Sequence, residues 1–161
     1  MVAAHDGDLD AAVRAARRAI DLNTNFALGY FALAVGTLYR GEPEEALAAV
    51  DIALRLSPHD PQLFLWLALR GSALYLLGGY REAIAAAAES RSLRWFCRAP
   101  RVLAASYGQL GMLAEARRAV AELLAREPAE KTIADVICRF KRAADRAHYA
   151  QGLRKAGLPE A

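Results

Sequence analysis

The sequence predicts an all-α fold, an α-α superhelix of antiparallel helix pairs with a helical cap at its C-terminal end. Two observations carry this reading. Four segments place a glycine five residues ahead of an alanine, and those alanines (Ala12, Ala46, Ala83 and Ala116) recur at intervals of 34, 37 and 33 residues. Pro58 and Pro128 each stand twelve residues after their alanine, where a proline ends a helix at a fixed place. A repeat of this period marks stacked supersecondary units, each unable to bury its apolar face alone. With 161 residues, 55% of them hydrophobic, the chain is one ordinary domain with a continuous core and not a disordered tail.

The elements follow in order. A B-type helix spans about Asp8 to Leu22, opened by Gly7 and closed by Ala19-Ile20-Asp21-Leu22. It has no helix A before it, so Val13, Ala16 and Ile20 are expected to face an absent partner, and the chain reads as part of a longer protein or as one whose N-terminal edge pairs with a second copy. Units then cover 27–60, 61–96 and 97–130, after the half repeat 7–26. Small residues (Ala34, Gly71 and Ala104 on A helices; Ala46, Ala83 and Ala116 on B helices) mark close backbone approach, where a larger side chain overpacks by roughly 1–3 kcal/mol. Gly41, Gly78 and Gly111 suit left-handed helix C-caps. Pro43 with Glu42, Glu44 and Glu45 suits a helix start.

The third unit is three residues long for the pattern, which points to a longer helix A from Pro61 to Leu77, with Arg70 at a position that should be apolar. It ends on Trp95-Phe96, readable as a plug between helices or as an exposed anchor for a partner peptide. Beyond Pro128, Lys131 to Arg139 reads as a short helix with Ile133, Val136 and Ile137 on one face, and Ala143 to Ala156 as a final helix. Together, residues 131–161 should cover the C-terminal edge.

The unit 27–60 resembles the tetratricopeptide repeat without a gap, through Tyr30, Leu33-Ala34, Thr37, Gly41, Ala46, Val50, Ala53 and Pro58. The unit 97–130 does so through Leu103-Ala104, Tyr107, Gly111, Ala116, Val120 and Pro128. The resemblance covers about residues 7–130, and implies a non-catalytic module that presents its A helices to a protein or peptide. By spacing, the groove face holds Phe31, Val35 and Tyr39, then Ser72 and Tyr75, then Arg98, Arg101 and Gln109. Such a wall, aromatic at one end and basic at the other, suits an amphipathic helix or extended peptide with an acidic segment. Tetratricopeptide domains that clamp a chaperone's C-terminal carboxylate carry Lys and Asn where this chain has Phe31 and Val35, so that clamp is not expected. The stretch from Phe140 to Glu160, with Leu56 to Pro61 and Arg101 to Gly111, resembles the endings of bacterial class III adenylate cyclases and winged-helix regulators. This implies an effector domain upstream, without bringing cyclase activity to these residues.

Chemistry is expected to be absent. There is no Walker loop, GxGxxG, HExxH, CxxC or GxSxG. His5, His59 and His148 lack ligand spacing, and Glu44-Glu45 read as a solvated helix start. No cofactor and no metal is implied. A net charge of +3, without a Lys/Arg block, does not argue for nucleic acid. Cys97 and Cys138 read as two buried thiols in a reducing, cytoplasmic compartment. The N-terminus has no signal-peptide pattern. The apolar run Leu63 to Leu77, broken by Arg70 and Gly71, is too short to span a membrane.

Overall fold

The computed structural model describes the backbone of residues 4–127, 129 and 131–160, with side chains from residue 8 onward. Among these it has helices α1 (Ala4–Leu22), α2 (Ala27–Arg40), α3 (Pro43–Leu56), α4 (Leu63–Leu76), α5 (Tyr80–Leu93), α6 (Arg98–Gln109), α7 (Leu113–Arg126), α8 (Ile133–Ile137) and α9 (Ala143–Ala156), and no strand. Helices α2/α3, α4/α5 and α6/α7 are successive A/B pairs, stacked into an α-α superhelix. Pro128, expected to close the last pair, lies outside the described residues.

The turns within pairs share one device. Gly41, Gly78 and Gly111 have φ of 92°, 83° and 73°, a left-handed conformation that glycine adopts without a Cβ clash. At Gly41 the glycine N–H donates to Leu38 O and the next N–H to Thr37 O, at 3.1 and 2.9 Å, a Schellman closure of the helix. Gly157 (φ 91°) ends α9 in the same way, through Arg154 O and Leu153 O. Gly7 is different: it lies inside α1, which begins at Ala4, so there is no turn at that point.

The seams rest on small residues. Ala34, Ala46, Ala83, Ala104 and Ala116 are all fully buried. A Cβ on Gly71 would lie 3.2 Å from Ala83 O and 3.2 Å from Val102 Cγ1, so α4 meets its neighbours almost backbone to backbone. Close packing at this density leaves no room for a methyl group.

Three expectations are corrected. Val13 and Ala16 do not face an absent partner: they are buried against α2, where a Cβ on Gly36 would stand 2.5 Å from Val13 Cγ2. Ile20 is half-buried, close to Gly29 of the same helix. A B helix has two contact faces, and this one meets the following A helix. The exposed face carries Ala12 and Ala15 instead, whose repeat counterparts Ala46 and Ala49 are buried. Second, helix A of the long unit is not extended: α4 has 14 residues, as α2 does. The surplus goes into connectors. The link from α3 to α4 (57–62) is two residues longer than the link from α1 to α2 (23–26), and the turn 77–79 is one longer than 41–42. Asp60 orders the longer link, its Oδ1 accepting from Gln62 N at 2.8 Å. Third, Cys138 is exposed, and only Cys97 is partly covered.

Arg70 takes its apolar position without disturbing the packing, since it is half-exposed and its Nε donates to Asp51 Oδ1 at 2.7 Å. Phe96 packs edge-on to Phe64, and Trp95 lies under the Arg126 guanidinium, 4.7 Å from its ring centroid. Both aromatics are half-buried, which fits the plug better than the anchor. Among the described residues no helix is long and apolar enough to cross a membrane.

Candidate functional site

The A helices α2, α4 and α6 line the concave wall, and the chain's own C-terminal segment lies on it. After α7 the backbone turns inward through α8, whose Val136 faces Tyr39, Ser72, Arg98 and Arg101. Phe140 reaches the far end of the wall, against Tyr39 of α2 at 5.3 Å between centroids. There Lys141 N donates to Tyr39 O at 2.8 Å, and Arg142 Nη1 to Gly41 O at 2.7 Å. Helix α9 then returns across α4 to α6. It therefore lies along the wall instead of only covering the C-terminal edge.

The return path is close to backbone contact. A Cβ on Gly152 would strike Tyr75 Oη and lie 2.7 Å from Ala105 O. A Cβ on Gly108 would strike Gly152 O and lie 3.2 Å from Ala156 N. Two facing glycines thus let α9 nest on α6, where any side chain would hold them apart.

An aromatic cluster joins the three layers. Tyr75 is fully buried, stacks on His148 at 4.8 Å and touches Tyr149 at 4.7 Å. Its hydroxyl donates to His148 O at 2.7 Å and accepts from Gln109 Nε2 at 3.1 Å. Tyr80 Oη and His148 Nε2 share a hydrogen bond of 2.8 Å. Burial pushes Tyr75 up, partly offset by the Gln109 hydrogen bond. Burial pushes Tyr149 up to about 12, against the pull of Arg101 and Arg98. Burial also pushes His148 below its ordinary value, with Asp145 opposing. Each shift has the sign that desolvation of the charged form imposes.

The eight groove residues read from sequence are therefore placed as follows. Tyr39, Ser72, Tyr75 and Arg101 are buried beneath α8 and α9. Arg98 is half-buried, its Nη2 donating to Tyr39 Oη at 2.7 Å, and Arg101 Nη2 donates to Cys97 Sγ at 3.1 Å. Gln109 bridges Tyr75 to Gln151 and Lys155 of α9. Phe31 stacks on Trp66 at 5.7 Å, and with Val35 it remains half-exposed. Sequence reasoning missed Phe140, Arg142, His148, Tyr149 and Gly152 as wall contacts. Their signal was the aromatic and glycine content of an apparent end cap.

Arg98 and Arg101 are the charged side chains of the wall beside Val136, Phe140 and Tyr149, whereas Arg40 pairs with Asp10 and Glu42 and Arg70 with Asp51. Among the described residues no group of three or more His, Cys, Asp or Glu comes together as a metal site needs.

No family model matches the chain, and no curated protein does. Solved structures do. The crystal structure of MamA superposes with a TM-score of 0.68 at 19% identity, covering 94% of this chain and 88% of that one. YrrB, described as a TPR protein with an unusual peptide-binding site, superposes at 0.63 and 18% identity, covering 95% and 78%. The chain therefore has the tetratricopeptide fold. The resemblance to cyclases and winged-helix regulators finds no counterpart among these matches.

Proposed function

We propose that this chain is a non-catalytic protein-interaction scaffold whose concave wall, formed by α2, α4 and α6, receives a helix from a protein partner. One observation carries the proposal: the wall already holds a helix, bound through aromatic stacking, a glycine seam and hydrogen bonds to main-chain carbonyls such as Tyr75 Oη to His148 O. Contacts of that kind are the means by which an amphipathic helix is held in a groove. The peptide-binding description of YrrB supports the same class of partner.

The test is selection of helical peptides on the full chain, followed by mapping with amide chemical shifts. Binders should perturb Phe31, Arg98 and Gln109 and lose affinity in Arg98→Ala. Binders that map to the outer helices α3, α5 and α7 would refute the assignment of the wall.

A regulatory setting, in which the scaffold serves an effector domain of a longer polypeptide, rests on the resemblance carried by residues 140–160, 56–61 and 101–111. Self-association through α1 is the weaker second reading, because α2 already covers Val13 and Ala16.

A further inference from the structure

We propose that the cleft between the outer helices α3 and α5 is a second docking site, which takes an extended basic segment of a protein partner: an arginine with a large apolar residue beside it. The site is independent of the concave wall, which takes a helix.

The first ground is the register of the repeat, which assigns two positions to each seam between consecutive B helices. One is the residue eight after the repeat's alanine on the first helix. The other is the residue six after the repeat's alanine on the next. Between α5 and α7 these are Arg91 and Glu122, and Arg91 Nη1 donates to Glu122 Oε2 at 3.1 Å. Between α1 and α3 they are Ile20 and Ile52, both apolar and both half-buried. Between α3 and α5 they are Leu54 and Glu89, an apolar residue set against a charge.

The second ground is space. At this mismatched seam Leu54 and Glu89 line one cleft of about 390 Å³, together with Leu63, Leu67 and Pro58 of the longer connector. Ligand sites occupy roughly 300–1,000 Å³. A round cleft of this size is about 9 Å across, under the roughly 10–12 Å of a helix with its side chains. It has room for neighbouring side chains of an extended segment.

The third ground is charge. Arg70 also lines the cleft, but Asp51 already neutralises it, through Arg70 Nε to Asp51 Oδ1 at 2.7 Å. Among the described residues no cation pairs with the Glu89 carboxylate. The rim is left with one negative charge beside an apolar floor. A guest that completes it has the chemistry Arg91 shows at the next seam: an alkyl stem over apolar surface and a guanidinium on the carboxylate. An acidic guest is repelled by Glu89, and a purely apolar one desolvates it unpaired.

The experiment is an amide chemical-shift titration of the full chain with three peptides: acetyl-GSLRLGS-amide, and the same peptide with glutamine or glutamate in place of arginine. Each is taken to about 5 mM, past the roughly 1 mM dissociation constant of a contact made by a few side chains. The arginine peptide should shift the amides of Leu54, Leu63, Leu67 and Glu89, and bind more weakly as salt rises. The glutamine peptide should bind about two- to fivefold more weakly, the range of an exposed ion pair, and the glutamate peptide more weakly still. Glu89→Gln should cost the arginine peptide about the same two- to fivefold and leave the glutamine peptide unaffected. Leu54→Arg supplies the pair that Arg91 and Glu122 make, and should abolish binding. If that variant does not fold, Glu89→Gln, a change at an exposed position, carries the test alone. Equal affinity for all three peptides, or an arginine peptide indifferent to Glu89→Gln, would overturn the basic guest. No shift at α3 and α5 would overturn the cleft. Shifts confined to Phe31, Arg98 and Gln109 would also overturn it, while leaving the wall in place.

Discussion

Gly108→Ala tests the geometry on which the wall and its occupant depend. In an ordinary helix interior this change is favourable by about 1 kcal/mol, since alanine is the better helix former. Here the added Cβ would strike Gly152 O and lie 3.2 Å from Ala156 N. Both obstacles are backbone, so no rotamer change relieves them, and α9 must retreat by on the order of 1 Å. Overpacking of this kind costs roughly 1–3 kcal/mol, and the retreat also loosens Tyr75 against His148 and Tyr149. Set against the propensity gain, the expected net loss is about 1 kcal/mol. Urea unfolding followed by Trp66 and Trp95 fluorescence measures it, with hydrogen exchange reading the amides of 143–156. Gly78→Ala is the control: its φ is 83° and nothing lies within 4 Å of an added Cβ. It should cost about 1–2 kcal/mol through the left-handed conformation alone and leave exchange in α9 unchanged relative to global stability. A Gly108→Ala protein as stable as wild type or more so, with α9 equally protected, would refute the glycine seam.

Other outcomes follow from the same contacts. Tyr75→Phe keeps the ring stack but removes the donor to His148 O and the acceptor for Gln109, and should cost about 1 kcal/mol in urea midpoint without change of slope. His148 has its folded pKa pushed down by burial. Stability is therefore full above its ordinary value of 6.5, falls as pH drops from there to the folded pKa, and is level below it; urea titrations at several pH values should show this step in wild type and lose it in His148→Gln. Thr132→Ala breaks the capping box in which Thr132 Oγ1 accepts from Asp135 N at 3.2 Å, at about 1 kcal/mol. The Asp135 carboxyl, held down first by its Thr132 hydrogen bond, should then titrate closer to 3.8 by NMR.

Read alone, the sequence determined whatever is local and periodic. The glycine at each turn, the alanine five residues on and the small seam residues form a register. Steric rules that act within a few residues translate that register into helix, left-handed cap and helix. The same rules placed Ala143 to Ala156 as a helix and the A helices on the inner wall. Arg70 and the surplus of three residues were visible as departures, but their resolution was not. A salt bridge to Asp51 and longer connectors are choices made between elements.

Where α9 lies was decided only by tertiary structure. Its stripe of Tyr149, Gly152, Leu153 and Ala156 could have packed on the outer edge of α7 as readily as on α6. Helical periodicity specifies a face and is silent on which neighbour receives it. That depended on contacts far apart in the chain: Gly108 with Gly152, Tyr75 with His148, Gly41 with Arg142. These form because two glycines allow backbones to touch where the wall is aromatic, and they turn an open groove into one that its own chain fills.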